Sequence, residues 1–510
     1  MPLAPETEIK LAASPAMLER LRSHPALAGT DRRATLHATY YDTIGGRLWK
    51  NGAILRIRDD GQMREQTLKL DRANGATIRR LEWNVHVESD EFDILAFAED
   101  ARAKLSRLLD GGTPEAFAIS HVDRTARLIR FGESSIEVAF DSGSIAAARR
   151  KVRLSELELE LVDGTLADVL ALASELPLGP GLRWSLRSKA ARCHDLAFNM
   201  APAAERAQPL VLSPGMTAAA GFQTIAWNCL SQLLANYPLV IETGDAEAVH
   251  QSRVAIRRLR AAFTLFGGAI EDTALRPLRA ELKAAAGALG PARDLQVVVE
   301  RALLAIGQAD IDSGDLLTQL GASRANAVRS AQDMLSGRDF QLLLSKIALW
   351  IEAGEWLGRS CNSTGDRQLM DLASKVLSRH RRKVRKLGGN LRKMPDASRH
   401  RLRIEVKKLR YATEFFASLF RQKKAVKHRK SFTRALASLQ DSLGELNDLA
   451  VASAGRTDFF ESLEPVAAAR LTANLAQLFD AHRTSRRRLL KRAEASLEEI
   501  VDSPSWWSGD

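Results

Sequence analysis

Two periodicities divide this chain of 510 residues. In the first 200 residues, apolar and polar side chains alternate one by one. The runs are TEIKL at the start, AILRIR at 53–58, QTLKL at 66–70, SIEVAF at 135–140 and SELELELV at 155–162. A period of two places one face of a strand in a core and the other outside it. Asp60-Gly61, Asn74-Gly75 and Asp163-Gly164 punctuate these runs as turn signals. Pro15–Ser23, Leu95–Leu109 and Leu166–Glu175 carry a helical period instead. Residues 1–200 therefore read as an antiparallel sheet with short helices.

Residues 201–215, APAAERAQPLVLSPG, hold three of the sixteen prolines and little periodicity, as a linker would. From 216 to 510 the period is 3.6 almost throughout, rich in Ala and Leu, and the region reads as all helix. It also repeats. HQSRVAIRRLRAAFTLF at 250–266 aligns with HRLRIEVKKLRYATEFF at 400–416, and LGPARDLQV at 289–297 with LGELNDLAV at 443–451. Two matching blocks in the same order predict a duplicated helical unit, its halves facing each other across a pseudo-two-fold axis.

Composition narrows the class. The length exceeds a single core, and 45% hydrophobic with 27% charged residues describes a foldable globular chain. The formal charge of +12 is unevenly spread. Residues 1–200 carry 28 basic and 29 acidic groups, whereas 371–430 alone carry 21 against 4. So dense a single-sign field implies a polyanionic partner or a solvated surface. Cys193, Cys229 and Cys361 lie far apart with no CxxC, which argues against a disulfide framework and a zinc–cysteine site. No signal-type apolar stretch opens the chain and none approaches 18 apolar residues, so a cytoplasmic location without a membrane partner is expected.

Residues two apart on a strand share a face. Glu6, Glu8 and Lys10 share one; so do Arg56 and Arg58; Thr67 and Lys69; Arg80 and Glu82; Glu137 and Asp141; and Glu156, Glu158 and Glu160. An ordinary half-exposed sheet would alternate in the same way. The sign pattern favours a different reading, because some strands present only carboxylates and others only Arg or Lys. On a closed sheet that face becomes a lumen. Its carboxylates suit a hard divalent cation and its guanidinium and ammonium groups suit phosphate. No GxxxxGK[ST] loop is present.

The opening ETEIK resembles the ExExK signature of the CYTH, or triphosphate tunnel metalloenzyme, family. The likeness continues in order through YYDT at 40–43, LRIR at 55–58, TLK at 67–69, RLEWNV at 80–85, Arg124, IEVAFDSG at 136–143, ELELEL at 156–161 and SLRSKAAR at 185–192. The resemblance implies an eight-stranded antiparallel β-tunnel that hydrolyses inorganic triphosphate with Mg²⁺ or Mn²⁺. It implies Glu6, Glu8, Glu158 and Glu160 as metal ligands, with Asp141 and Glu137 as further lumen acids. Lys10, Arg56, Arg58, Lys69, Arg80, Arg124 and Lys189 match phosphate-gripping positions, with Glu82 beside them; Glu6, Glu8 and Lys10 would form the catalytic motif. Glu156 shares the acidic face, either as a ligand or as an extension of the wall.

In the second region, His250, Arg253, Arg257 and Arg260 fall within an arc of about 80° on a helix, apart from the apolar arc of Ile256, Leu259 and Phe263. His400, Arg403, Lys407 and Arg410 repeat the arrangement. These blocks resemble the CHAD family, the conserved-histidine α-helical domain, built as two related four-helix halves. That resemblance implies inorganic polyphosphate binding by these eight residues, and association with polyphosphate granules. A solvated basic face and buried, hydrogen-bonded histidines are the plainer alternatives. Asp294 and Asp448 read as partners of basic residues or helix caps, and Arg379–Arg385 and Lys423–Lys430 as peripheral steering charge. Nucleic acid is the competing partner, but Tyr411 is the only Tyr or Trp in 371–430, whereas single-strand binding relies on aromatic platforms. Two further readings remain: a non-catalytic polyphosphate-binding protein with a sensor tunnel, and a tunnel acting on a nucleotide or thiamine triphosphate, adenylate cyclase included.

Overall fold

A computed structural model describes residues 6–71, 79–306, 314–358, 368–453 and 483–508. The alternating segments form nine antiparallel strands: β1 (Glu6–Ala13), β2 (Arg32–Asp42), β3 (Ala53–Asp59), β4 (Arg64–Asp71), β5 (Arg79–Val87), β6 (Glu115–Phe131), β7 (Ser134–Ala147), β8 (Arg150–Asp163) and β9 (Leu182–Ser185). Their order is β5-β4-β3-β2-β6-β7-β8-β1-β9, and β5 also pairs with β1. Eight strands thus close into a barrel. The ninth strand, beyond the expected eight, has a simple origin. One edge of β1 meets β5 only at Glu6 and Thr7, and β9 covers the rest of it from Lys10 to Ala13.

Closure fixes the meaning of the alternation. Leu36, Ala38, Tyr40, Arg56, Arg58, Ser120, Val122 and Arg124 turn inward. The outward Ile9, Leu11, Ile136, Val138, Phe140, Leu157 and Leu159 are buried as well, beneath helices α1 (Pro15–Arg22) and α4 (Leu166–Glu175). Both faces of this part of the wall are therefore packed. The remaining short helices are α2 (Arg47–Lys50), α3 (Glu99–Leu109) and α5 (Lys189–Ala197). The helix expected from Leu95 begins at Glu99. Asp93 caps a separate 3₁₀ turn at Ile94–Ala96, and extended backbone at Phe97 buries that ring.

Residues 201–213 form no helix or strand, yet they lie along the helical region: Glu205 N–H donates to Asn236 and Leu212 N–H to Ser418. Among the described residues eleven further helices follow. They are α6 (Ala218–Thr243), α7 (Ala246–Leu265), α8 (Leu275–Ala288), α9 (Gly290–Ile306), α10 (Gly314–Ser336), α11 (Arg338–Ala353), α12 (Glu355–Gly358), α13 (Leu369–Gly388), α14 (Asp396–Phe415), α15 (Lys423–Ser453) and α16 (Arg483–Asp502). The repeat is visible in the boundaries. Helices α7 and α14 are each 20 residues long with both ends offset by 150, and a 3₁₀ turn follows each at the same offset.

The two regions share one apolar core. It runs from Ile9, Leu11 and Trp184 through Leu170 and Leu172 to Tyr237, Phe340 and Ile347. Trp184 of β9 is the pin: its indole Nε1–H donates to Ser345 (2.9 Å), and the Tyr237 hydroxyl donates to its carbonyl (2.6 Å). Among the described residues no helix is long and apolar enough to cross a membrane.

Candidate functional site in the barrel lumen

A cavity in the barrel is lined by Glu8 and Lys10 of β1, Arg56 and Arg58 of β3, Lys69 of β4, Arg124 of β6, Glu158 and Glu160 of β8 and Lys189 of α5. The strand alternation delivers all but the last. Ser188 delivers Lys189 by capping α5, accepting from Ala191 N–H at 3.1 Å, so that the helix starts at the cavity wall.

The charges are locked in ion pairs, most of them joined around Glu158. Glu158 accepts from Lys10 (2.7 Å), Arg124 (2.5 Å) and Lys189 (2.9 Å). Arg124 holds both oxygens of Asp141 at 2.7 and 2.6 Å, and Lys189 reaches the same carboxylate at 2.7 Å. Glu156, fully buried, takes Lys189 (2.5 Å) and Arg192 (2.9 Å). Glu8 pairs with Lys10 at 2.5 Å, and Glu82 with Lys69 at 2.9 Å and Arg56 at 3.9 Å.

Burial alone would neutralise such groups, and the opposite charges prevent it. Desolvation pulls Lys10 and Lys189 down, but Glu158 and Glu8 around Lys10, and Asp141, Glu156 and Glu158 around Lys189, leave both raised. Desolvation pushes Glu158 up, and Lys10, Lys189 and Arg124 hold it well below the usual carboxylate range. The lumen is thus ionised on both sides.

The acidic donor set suits a metal. Asp141, Glu156 and Glu158 offer oxygens within 4.8 Å of one another. Glu8 and Glu160 face each other in register across β1 and β8. Carboxylate oxygens from neighbouring strands, with no thiolate or imidazole lining the cavity among the described residues, fit a hard cation of the Mg²⁺ class better than zinc.

The structure brings together Glu8, Lys10, Arg56, Arg58, Lys69, Glu82, Arg124, Asp141, Glu158, Glu160 and Lys189. Glu6 and Arg80 are paired in backbone register, but their side chains lie outside the described residues. Glu137 pairs with Arg32. Sequence reading missed Glu65, which holds Arg58 at 2.8 Å, and Arg192. Glu65 was within reach, because counting back from the Asp60-Gly61 turn places it opposite Arg58.

A second cluster forms where the repeated helices meet. Arg257 Nε donates to the Tyr411 hydroxyl (2.7 Å), and buried Arg258 reaches Glu414 (2.8 Å), Gln232 and Asn228. Lys407 lies among Arg403, Arg257, Arg410 and Arg253; burial first, then those cations, push its ammonium down to about 8. His250 is lowered by burial and by Arg293, Arg257 and Arg253. Nη1 of Arg253 and Nε of both Arg403 and Arg410 are buried without a hydrogen-bond partner among the described residues. A glycine accompanies each repeated Arg: a Cβ on Gly290 would lie 3.0 Å from Arg253, and one on Gly444 4.0 Å from Arg403. Those are the glycines of the two LG motifs.

His400 is exposed near the start of α14, and Arg260 is half-buried. Asp294 approaches Arg253 at 3.7 Å, as expected, while the Asp448 side chain lies outside the described residues. Arg293 joins the cluster unforeseen. Arg381, within the run read as steering charge, instead ties down Val501 O (2.6 Å) and lies over the Trp507 ring.

A CYTH domain model matches residues 4–194 and a CHAD domain model residues 224–455. The chain is 32% identical over 198 residues to the inorganic triphosphatase of Haemophilus influenzae, a match covering 37% of this chain and 53% of that protein. It therefore spans about half the length of that curated relative. The crystal structure of the CHAD domain from the plant Ricinus communis is 28% identical, with a TM-score of 0.49 over 58% of this chain and 97% of that one. PptA from Streptomyces chartreusis is 18% identical, with a TM-score of 0.37 over 56% and 98%. The chain joins a CYTH domain to a CHAD domain.

Proposed function

We propose that the barrel hydrolyses inorganic triphosphate to pyrophosphate and phosphate with Mg²⁺ or Mn²⁺, and that the helical region binds inorganic polyphosphate. One observation carries the first part: the lumen cations Lys10, Arg124 and Lys189 are paired with Asp141 and Glu158 in a single buried network. A polyphosphate with its divalent cation brings both signs at once. It can exchange into such a network without leaving either set of charges unpaired.

Glu8, Glu158 and Glu160, joined by Glu6 at the head of the motif, would hold the cation. When bound, it neutralises phosphate charge and acidifies a water. Arg56, Arg58, Lys69, Arg124 and Lys189, with Arg80, grip phosphoryl oxygens and stabilise the charge that develops during in-line attack. Asp141 and Glu156 keep Arg124 and Lys189 aimed into the lumen, and Asp141, with an oxygen within 4.8 Å of those of Glu156 and Glu158, stands beside the metal ligands. The N-terminus of α5 adds its dipole on the side where the anion lies. A water nucleophile suffices.

In the helical region, arginines crowd Lys407, and buried N–H groups of Arg253, Arg403 and Arg410 lack a hydrogen-bond partner among the described residues, an arrangement that suits an anion. The tests are phosphate release from triphosphate, ATP and thiamine triphosphate, and calorimetric binding of polyphosphate with nucleic acid as competitor. Equal turnover by wild type and Glu8→Gln overturns the lumen assignment. Cyclic AMP formed from ATP replaces hydrolysis with cyclisation. Polyphosphate binding unaffected by Arg403→Ala/Lys407→Ala removes the helical site.

A further inference from the structure

We propose that His37 and His121 form a site for a late divalent transition metal, of the Ni²⁺, Cu²⁺ or Zn²⁺ class, on the outer wall of the barrel. The two residues are directly opposite in the β2–β6 ladder. Their neighbours Leu36, Ala38, Ser120 and Val122 turn into the lumen, so both imidazoles project from the other face, where both are exposed. Their Nδ1 atoms are 3.2 Å apart and the ring centroids 4.4 Å.

That separation is what a shared ion requires. Two nitrogens each about 2.05 Å from one metal, at angles of about 90–109°, lie about 2.9–3.3 Å apart. The ladder already holds the two nitrogens at this separation, and binding requires the rings to turn so that both lone pairs meet the ion. Both rings open onto a groove lined by Thr39, Tyr41, Asp59, Asp90 and Lys151, which leaves room for water on the remaining coordination positions. Asp59 continues the row, opposite His37 on β3, but its oxygens already accept from Gly61 N–H and Arg64 Nε. The protein therefore supplies two nitrogens and the other ligands come from solvent. Imidazole favours the late transition metals over Mg²⁺ and Mn²⁺, so this site is chemically distinct from the carboxylate set inside the barrel.

Without a metal the pair makes one N–H···N hydrogen bond, and supplying metal separates the two states. The full chain is titrated with Ni²⁺ by calorimetry at pH 7.5, with excess Mg²⁺ present to occupy oxygen sites. One Ni²⁺ equivalent is expected, weakened at least tenfold in His37→Gln and in His121→Gln, with circular dichroism and triphosphate turnover unchanged. Electron paramagnetic resonance of the wild type with one Cu²⁺ equivalent is expected to show coupling to two imidazole nitrogens, which keeps the test valid if a variant misfolds. Unchanged Ni²⁺ affinity in the double variant, or a Cu²⁺ spectrum without two nitrogens, overturns the proposal.

Discussion

Replacing Glu158 with Gln probes the lumen at its most connected point. The side chain is buried and accepts from three cations at once, Lys10, Arg124 and Lys189. Removing one partner of a buried ion pair typically costs about 3–5 kcal/mol. Here each cation keeps another carboxylate: Glu8 for Lys10, Asp141 for Arg124, Asp141 and Glu156 for Lys189. Gln also preserves the shape and one acceptor oxygen. The loss should therefore fall to about 1–3 kcal/mol, with Tm dropping about 2–4 °C per kcal/mol in a region of this size. Catalysis should suffer more, because in the proposed site Glu158 would hold the cation, and it pairs with Lys10, Arg124 and Lys189, the side chains proposed to grip phosphate. A fall in kcat of about 10²–10³ is expected from comparable losses of electrostatic stabilisation. Calorimetric unfolding and phosphate release at pH 7, on the same preparation, measure both. A variant that melts and turns over triphosphate like wild type refutes the claim that this network organises the site.

Lys407 should make polyphosphate binding pH-dependent. Its folded value of about 8 lies below the ordinary 10.5 because of burial and the surrounding arginines. Between those values the unfolded chain binds the extra proton, so this group's contribution to stability rises with pH. A bound polyanion favours the ammonium, so affinity should fall as pH passes 8, and Lys407→Arg should flatten the curve; parallel curves for the two proteins would contradict it. Arg403→Ala should weaken polyphosphate binding and lower the slope of log affinity against log salt by about one, measured by titration at several salt concentrations. Trp184→Phe removes the bond to Ser345 and should cost about 1 kcal/mol, whereas Trp184→Ala should cost about 3–5 and split the calorimetric transition in two. A single unshifted transition in Trp184→Ala would show that β9 does not couple the two regions.

Much of the fold was legible because its signals are local. Strand alternation assigned the inward charges residue by residue, and the 150-residue repeat anticipated two helices whose boundaries differ by that same interval. What stayed hidden depends on contacts distant in the chain. The pairing of Glu6 and Thr7 with Arg80 and Arg79 closes the barrel, and nothing near either segment announces it. The wide apolar face of α4, with Leu166, Val169, Leu170 and Leu172 all buried, is covered largely by α11, which lies more than 160 residues further on. Arg381 illustrates the limit of composition, since a cation in a basic run can be spent on carbonyls rather than on a partner. The pairing of His37 with His121 likewise required the β2–β6 register.

The central claim is tested most directly by phosphate release from inorganic triphosphate, catalysed by the full chain with Mg²⁺ or Mn²⁺, wild type beside Glu8→Gln. Metal-dependent turnover that is abolished by chelation and lost in the variant is the result expected from a lumen that pairs carboxylates with fixed cations. Absence of turnover in the wild type with either metal, or equal rates in both proteins, would contradict it.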